Sequence, residues 1–157
     1  MRHLEHGVLS LGEDRPIESR LAILHEGLSR ALLQHKPDIV AVEEIYYAKN
    51  ARSALVLGHA RGVALLAAAQ SGAQVRSFAA SVIKQSVTGT GRAEKGQVGR
   101  MVCVLLGITI EGRADASDAL AAAICGLLRA REPQLPQAAS PPAPGAQLRA
   151  VRARSRR

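Results

Sequence analysis

Ile39-Val40-Ala41-Val42-Glu43-Glu44 is the stretch on which the reading of this chain turns. Four consecutive apolar residues, two of them β-branched valines, match a strand buried on both faces of a parallel sheet. Lys36-Pro37-Asp38 interrupts the preceding segment, so the run begins cleanly. It ends in two acids, at the carboxyl end of the strand, where open α/β sheets place their ligand crevices. Neighbouring strand residues face opposite ways, so only one of Glu43 and Glu44 can share the face of such a crevice. Spacing alone also allows a solvated strand end, and both readings stay open at this point.

Working outward, residues 4–12 alternate loosely and end in Gly12-Glu13-Asp14, which suits a strand entering a turn. From Pro16 to Gln34, apolar residues at Ile17, Leu21, Leu24, Leu28 and Leu32 recur every three or four positions, predicting an amphipathic helix with one buried face. Downstream, residues 52–70 read as a helix rich in small residues (Ala54, Gly58, Gly62, Ala64, Ala68), able to let another helix approach closely. Gln74 to Phe78 reads as a second buried strand, and 80–87, 94–106 and 114–131 read as helices. The alternation of strands and helices gives an α/β class, with 39–42 as the central strand.

The composition fits that picture. A chain of 157 residues, 47% hydrophobic, has room for one core, and with 2% aromatic residues and no Trp that core is built from Leu, Val, Ile and Ala. The net charge of +8 favours a polyanionic partner. Five of those charges are the arginines 149, 152, 154, 156 and 157 of an acid-free end, leaving +3 for the rest. Residues 1–132 are therefore expected to form one domain, and 133–157 a disordered basic tail rich in Pro, Ala and Arg. Cys103 and Cys125 stand singly in apolar patterns and the five histidines lack ligand spacing, which argues against a zinc site or a disulfide framework. No signal-like start and no apolar run of about 18 residues is evident, so the expectation is a cytoplasmic protein without membrane attachment.

Asp115 and Asp118 fall in the first turn of the last helix, three apart and hence on one face. Acids there also suit the helix dipole and capping, so the pair alone decides nothing. Together with Glu43 it gains meaning, because phosphodiester hydrolysis assisted by divalent ions needs several hard oxygen ligands from different elements, and Mg2+ is the natural ion. The segment Gly89-Thr-Gly91-Arg92-Ala-Glu-Lys95-Gly96 is not a nucleotide-binding loop, since Gln97 and Val98 stand where Lys and Ser or Thr are needed. It reads better as a loop entering a helix, with backbone N–H groups, Arg92, Lys95 and nearby Lys84 available to a DNA phosphate. Tyr46-Tyr47-Ala48-Lys49-Asn50 sets two of three aromatics beside the strand-end acid, where Tyr46 can stack on an unpaired base while Lys49 and Arg52 hold the backbone.

With these segments in place the chain resembles RuvC-type Holliday-junction resolvases. The resemblance rests on residues 41–50, on Ser53 through Val63, on Val82-Ile-Lys84-Gln85, on Gly89 through Val98 and on Ala114-Asp115-Ala-Ser-Asp118-Ala-Leu, and spans about residues 4–131. It implies a ribonuclease H-like mixed sheet flanked by helices. It further implies that Glu43, Asp115 and Asp118 are three of four metal-binding acids holding two Mg2+ ions, and that Lys84 and Lys95 are functional cations near the scissile phosphate. Tyr46 takes the place of an aromatic that probes the junction centre. The implied activity is symmetric cleavage of four-way DNA junctions in recombination and repair, by a homodimer working with the RuvAB branch-migration complex; the helix at 52–70 would help form the dimer.

The front departs from the pattern. Such proteins open with a glycine-flanked Asp on a first strand and then a second strand, before the part that matches residues 4–12, and neither stands in this sequence. Glu13, Asp14 and Glu18 do not match that motif. The expectations are an N-terminally shortened chain lacking the first strands and the fourth acid and, as the alternative to an active nuclease, a junction-binding protein or fragment with impaired catalysis.

Overall fold

A computed structural model describes residues 1–44, 50–110 and 114–133. Its elements are α1 (Ile17–His35), β1 (Ile39–Glu43), α2 (Ala51–Gln70), β2 (Gln74–Phe78), α3 (Ala80–Thr88), α4 (Lys95–Leu106) and α5 (Ala114–Leu128). β1 and β2 pair in parallel, Ile39 opposite Gln74 and Glu43 opposite Phe78. The ladder runs on past the strands through Gln74 N–H to Asp38 O and Glu44 N–H to Phe78 O. Helices cover both faces. α5 lies across β1, while α2 packs on β2 and on α1.

Strand alternation explains which residues meet which layer. A side chain at Gly126 of α5 would meet the Ala41 Cβ at 2.9 Å, so the helix can rest on the strand only because nothing projects there. Ile39, Ala41 and Glu43 thus face α5. On the neighbouring strand, Arg76 and Phe78 face the same way, whereas Ser77 turns to α2 and accepts a 2.9 Å hydrogen bond from Arg61.

The core lies where α3, α4 and α5 converge, with Ile83, Val87, Val98, Val102, Leu120, Ala121, Ile124 and Cys125 all buried. Most of these side chains are small, which is how a chain nearly devoid of aromatic residues closes a core. Arg76 is the notable polar member, only 7% exposed. Its guanidinium donates to the carbonyl oxygens of Arg129 at 2.6 Å, Ala130 at 3.0 Å and Glu132 at 3.3 Å, and its Nε to Gln74 Oε1. These carbonyls belong to the turn that follows α5, and a positive group there also complements the carboxyl end of the helix dipole. This clamp also explains why α5 stops at Leu128 instead of running to 131 as its pattern predicts.

Other expectations are corrected. Residues 4–12 form no strand; among the described residues no strand lies beside them to complete a ladder. They lead instead into a turn, Arg15 N–H to Gly12 O, and Leu9 packs against Gly27 of α1. Among the described residues the sheet consists of two strands, paired in parallel and flanked by helices. β1 has one described neighbour instead of a central position, and Ile39 to Val42 are half-buried, not fully buried. α1 buries no residue completely, because Leu21, Leu24, Leu28 and Leu32 face only its packing against α2 and the leading segment.

α2 is the one described helix long and apolar enough to cross a membrane, by length and composition. The tail that the sequence marks from 133 onward lies outside the described residues apart from Pro133.

Replacing Arg76 by Ala removes three charge-assisted hydrogen bonds to the turn that follows α5, and the expected loss of stability is about 2–3 kcal/mol. A urea unfolding midpoint lowered with the slope unchanged checks it.

Candidate active site

At the carboxyl end of β1 a cavity of about 210 Å3 opens between the sheet and the amino ends of three helices. Its lining is Glu43 from β1, Ala80, Ile83 and Lys84 from α3, Lys95 and Val98 from α4, and Asp118 and Ala121 from α5. A larger opening of about 610 Å3 lies at the other end of the sheet, around Leu32, Leu33, Lys36, Pro37 and Asp38. With a single acid in its lining, that opening offers no convergent donors, so the chemistry points to the smaller cavity.

Each polar side chain arrives by a local rule. Glu43 reaches the α5 side because it shares parity with Ala41, and Glu44 turns away, which resolves the alternative that the sequence left open. Asp115 sits in the first turn of α5 and Asp118 just after it, Asp115 exposed and Asp118 partly covered. Lys95 is the first residue of α4, entered through a loop that is anchored rather than loose. Ala93 is buried at its base, and Gly89 caps α3 in the left-handed conformation with its N–H on Gln85 O. The Thr88 hydroxyl donates to Lys84 O and accepts weakly from Thr90 N–H.

One contact joins the elements. Lys95 Nζ lies 2.8 Å from Asp118 Oδ2, a charge-assisted hydrogen bond linking α4 and α5 near their amino ends. Hydrogen bonding to Asp118, and then its negative charge, raises the pKa of Lys95 above the ordinary value of 10.5. Slight burial opposes this, and the charges of Asp115 and Glu43 add to it. All three acids thus act electrostatically on one ammonium group.

That ammonium marks a place where positive charge is favoured and supplies the test of fit for a metal. Hard carboxylate oxygens from two elements face one small cavity, the donor set that Mg2+ takes. Among the described residues, however, no three His, Cys, Asp or Glu side chains close as a cage. Glu43 and Asp118 line the cavity while Asp115 stands just outside its lining. The residues suit a divalent cation in kind, with Asp118 engaged to Lys95.

Not every expected residue gathers here. Arg52, in the first turn of α2, and Arg92, in the loop before α4, are exposed and outside the lining. Tyr46 and Lys49 lie outside the described residues; Asn50, next to them, caps α2 by accepting from Ser53 N–H at 2.9 Å. The apolar floor of Ala80, Ile83, Val98 and Ala121 carries no motif of its own in the sequence, since it is assembled from three helices.

The model of the family described as crossover junction endodeoxyribonuclease RuvC matches residues 1–126. The chain belongs to the RuvC family. It is 47% identical over 123 residues to the RuvC of Trichlorobacter lovleyi, covering 78% of this chain and 69% of that one. With the RuvC of Myxococcus xanthus it shares 48% over 131 residues, 82% of this chain and 69% of the other. Both relatives carry the name crossover junction endodeoxyribonuclease, so by family the chain is an endonuclease. The Thermus thermophilus RuvC structure superposes with a TM-score of 0.73 at 31% identity, covering 83% of this chain and 79% of that one. The same protein in complex with a Holliday junction substrate superposes over the same shares with a TM-score of 0.77. The ribonuclease H-like fold is thereby established, and RuvC is the frame for the cavity's residues.

Because the folded Lys95 holds its proton to higher pH than the unfolded chain does, the Lys95–Asp118 pair contributes fully below the unfolded value. It is lost as pH rises through the raised folded value. In the metal-free protein the Lys95 side-chain NMR titration should fall above 10.5, and Asp118→Asn should move it back down.

Proposed function

We propose that this RuvC-family chain cuts four-way DNA junctions by Mg2+-dependent phosphodiester hydrolysis, in recombination and DNA repair. The observation that carries the reading is the cavity in which Glu43 and Asp118 face Lys84 and Lys95 across the end of β1. Such a site joins anionic oxygens for cations with cationic groups for a phosphate, as hydrolysis of a phosphodiester requires.

In this reading Glu43, Asp115 and Asp118 hold the Mg2+, with two ions per site by analogy with the family. Bound Mg2+ supplies Lewis acidity and activates water. Lys84 places its ammonium against the scissile phosphate and offsets charge developing on its oxygens, and Lys95 does the same from the opposite wall. Arg52 and Arg92, outside the cavity lining, contact the DNA backbone; in the same reading Lys49 also contacts the backbone and Tyr46 stacks on an unpaired base at the junction centre. The domain is residues 1–132 with 133–157 as a basic tail, and the protein works in the cytoplasm with the RuvAB complex.

A homodimer is the proposed assembly, since symmetric cutting needs two sites. Leu55, Gly58, Gly62 and Leu66 fall on one face of α2. Among the described residues nothing outside α2 approaches within 4 Å of a Cβ at either glycine, and the two leucines are 61% and 51% exposed. Leu66→Lys is expected to shift the protein toward monomer in light-scattering chromatography.

A second reading has its own observation. Because no three described acids close as a cage, the chain could bind junctions through its cations without cutting them. The two readings separate on a synthetic four-way junction. Nicking with Mg2+, absent in EDTA and reduced about 100-fold or more in Glu43→Gln, supports the nuclease; binding in Ca2+ with no nicking in Mg2+ supports the binding protein.

A further inference from the structure

Lys95 is placed where a cation is wanted. Its ammonium nitrogen sits 2.8 Å from Asp118 Oδ2, in the cavity that Glu43 also lines. Two features make this pair separable. Its side chains are 59% and 39% exposed, so neither is locked by packing, and an ion pair of that exposure is weak. Moreover, Lys95 belongs to α4 and Asp118 to α5, so the bond can open without breaking either helix.

A divalent ion in the cavity and the Lys95 ammonium compete for one carboxylate oxygen, and they repel each other. We propose that Lys95 is a built-in placeholder for the metal: it holds Asp118 until a divalent cation displaces it, and the displacement frees its ammonium for a DNA phosphate. This inference rests on the site proposed above and adds its order of events. Before metal arrives, Lys95 neutralises Asp118 and keeps the first turn of α5 from self-repulsion. Afterward the same charge becomes available on the opposite wall, so cation binding and phosphate binding reinforce one another. Lys84, which forms no ion pair among the described residues, lacks this dual role.

The test uses the full chain without DNA and Mn2+ alone as the probe, with affinity read by calorimetry. Lys95→Met removes the competitor and is expected to bind Mn2+ about two- to fivefold more tightly than the parent, the range an exposed ion pair can supply. Lys95→Arg, which keeps the charge, should stay near the parent value, and Asp118→Asn should bind much more weakly. If Lys95→Met binds no more tightly than the parent while Asp118→Asn loses affinity, the placeholder is overturned and the metal site stands. If Asp118→Asn binds as the parent does, both fail. Circular dichroism on each variant confirms that helix content is retained, and a Lys95→Gln variant serves in place of Lys95→Met if the latter does not fold.

Discussion

The close approach of α5 to β1 is the constraint on which the rest depends. Gly126 lets the helix lie directly on Ala41, and the parity of the strand then delivers Glu43 to the helix side. A larger residue at 126 would lift α5 and carry Asp118 away from Glu43. The two acids come from parts of the chain far apart in sequence, and their meeting follows from one missing side chain and from strand alternation.

Charge completes what packing begins. Glu43, Asp115 and Asp118 gather negative potential at the amino end of α5, where the helix dipole already favours acids. Two lysines answer from α3 and α4. The balance is local: little of the chain's net positive charge belongs to this cavity, and the five arginines near the end of the sequence lie outside the described residues. With three carboxylates against two ammonium groups, the site keeps a net negative charge that favours a further cation.

The helices and both strands were legible because their signals are local. The four-residue apolar run, the three-or-four spacing of α1 and the entry of α4 after a glycine-rich loop each specify an element from neighbouring residues. What escaped depends on partners. Residues 4–12 alternate like a strand, but alternation cannot supply the neighbour that a ladder needs. Leu21, Leu24, Leu28 and Leu32 give α1 an apolar face without saying how deeply it is covered. In the site, the choice between Glu43 and Glu44 needed the position of α5, and the Lys95–Asp118 contact joins two elements whose separation in sequence carries no distance information. Family resemblance named these residues; only the fold showed which of them touch.

Arg76 holds the far end of α5 in quite another manner from the near end. Three backbone carbonyls gripped by one buried guanidinium form a fixed bearing, about 20 Å along the helix from its first turn. At the near end Ala116 and Ser117 are buried against the core, and one partly exposed ion pair, Lys95 to Asp118, adds to that packing. The helix is thus seated at both ends by different means, and the part of it that meets an incoming charge is a partly exposed side chain, Asp118, standing on a packed backbone.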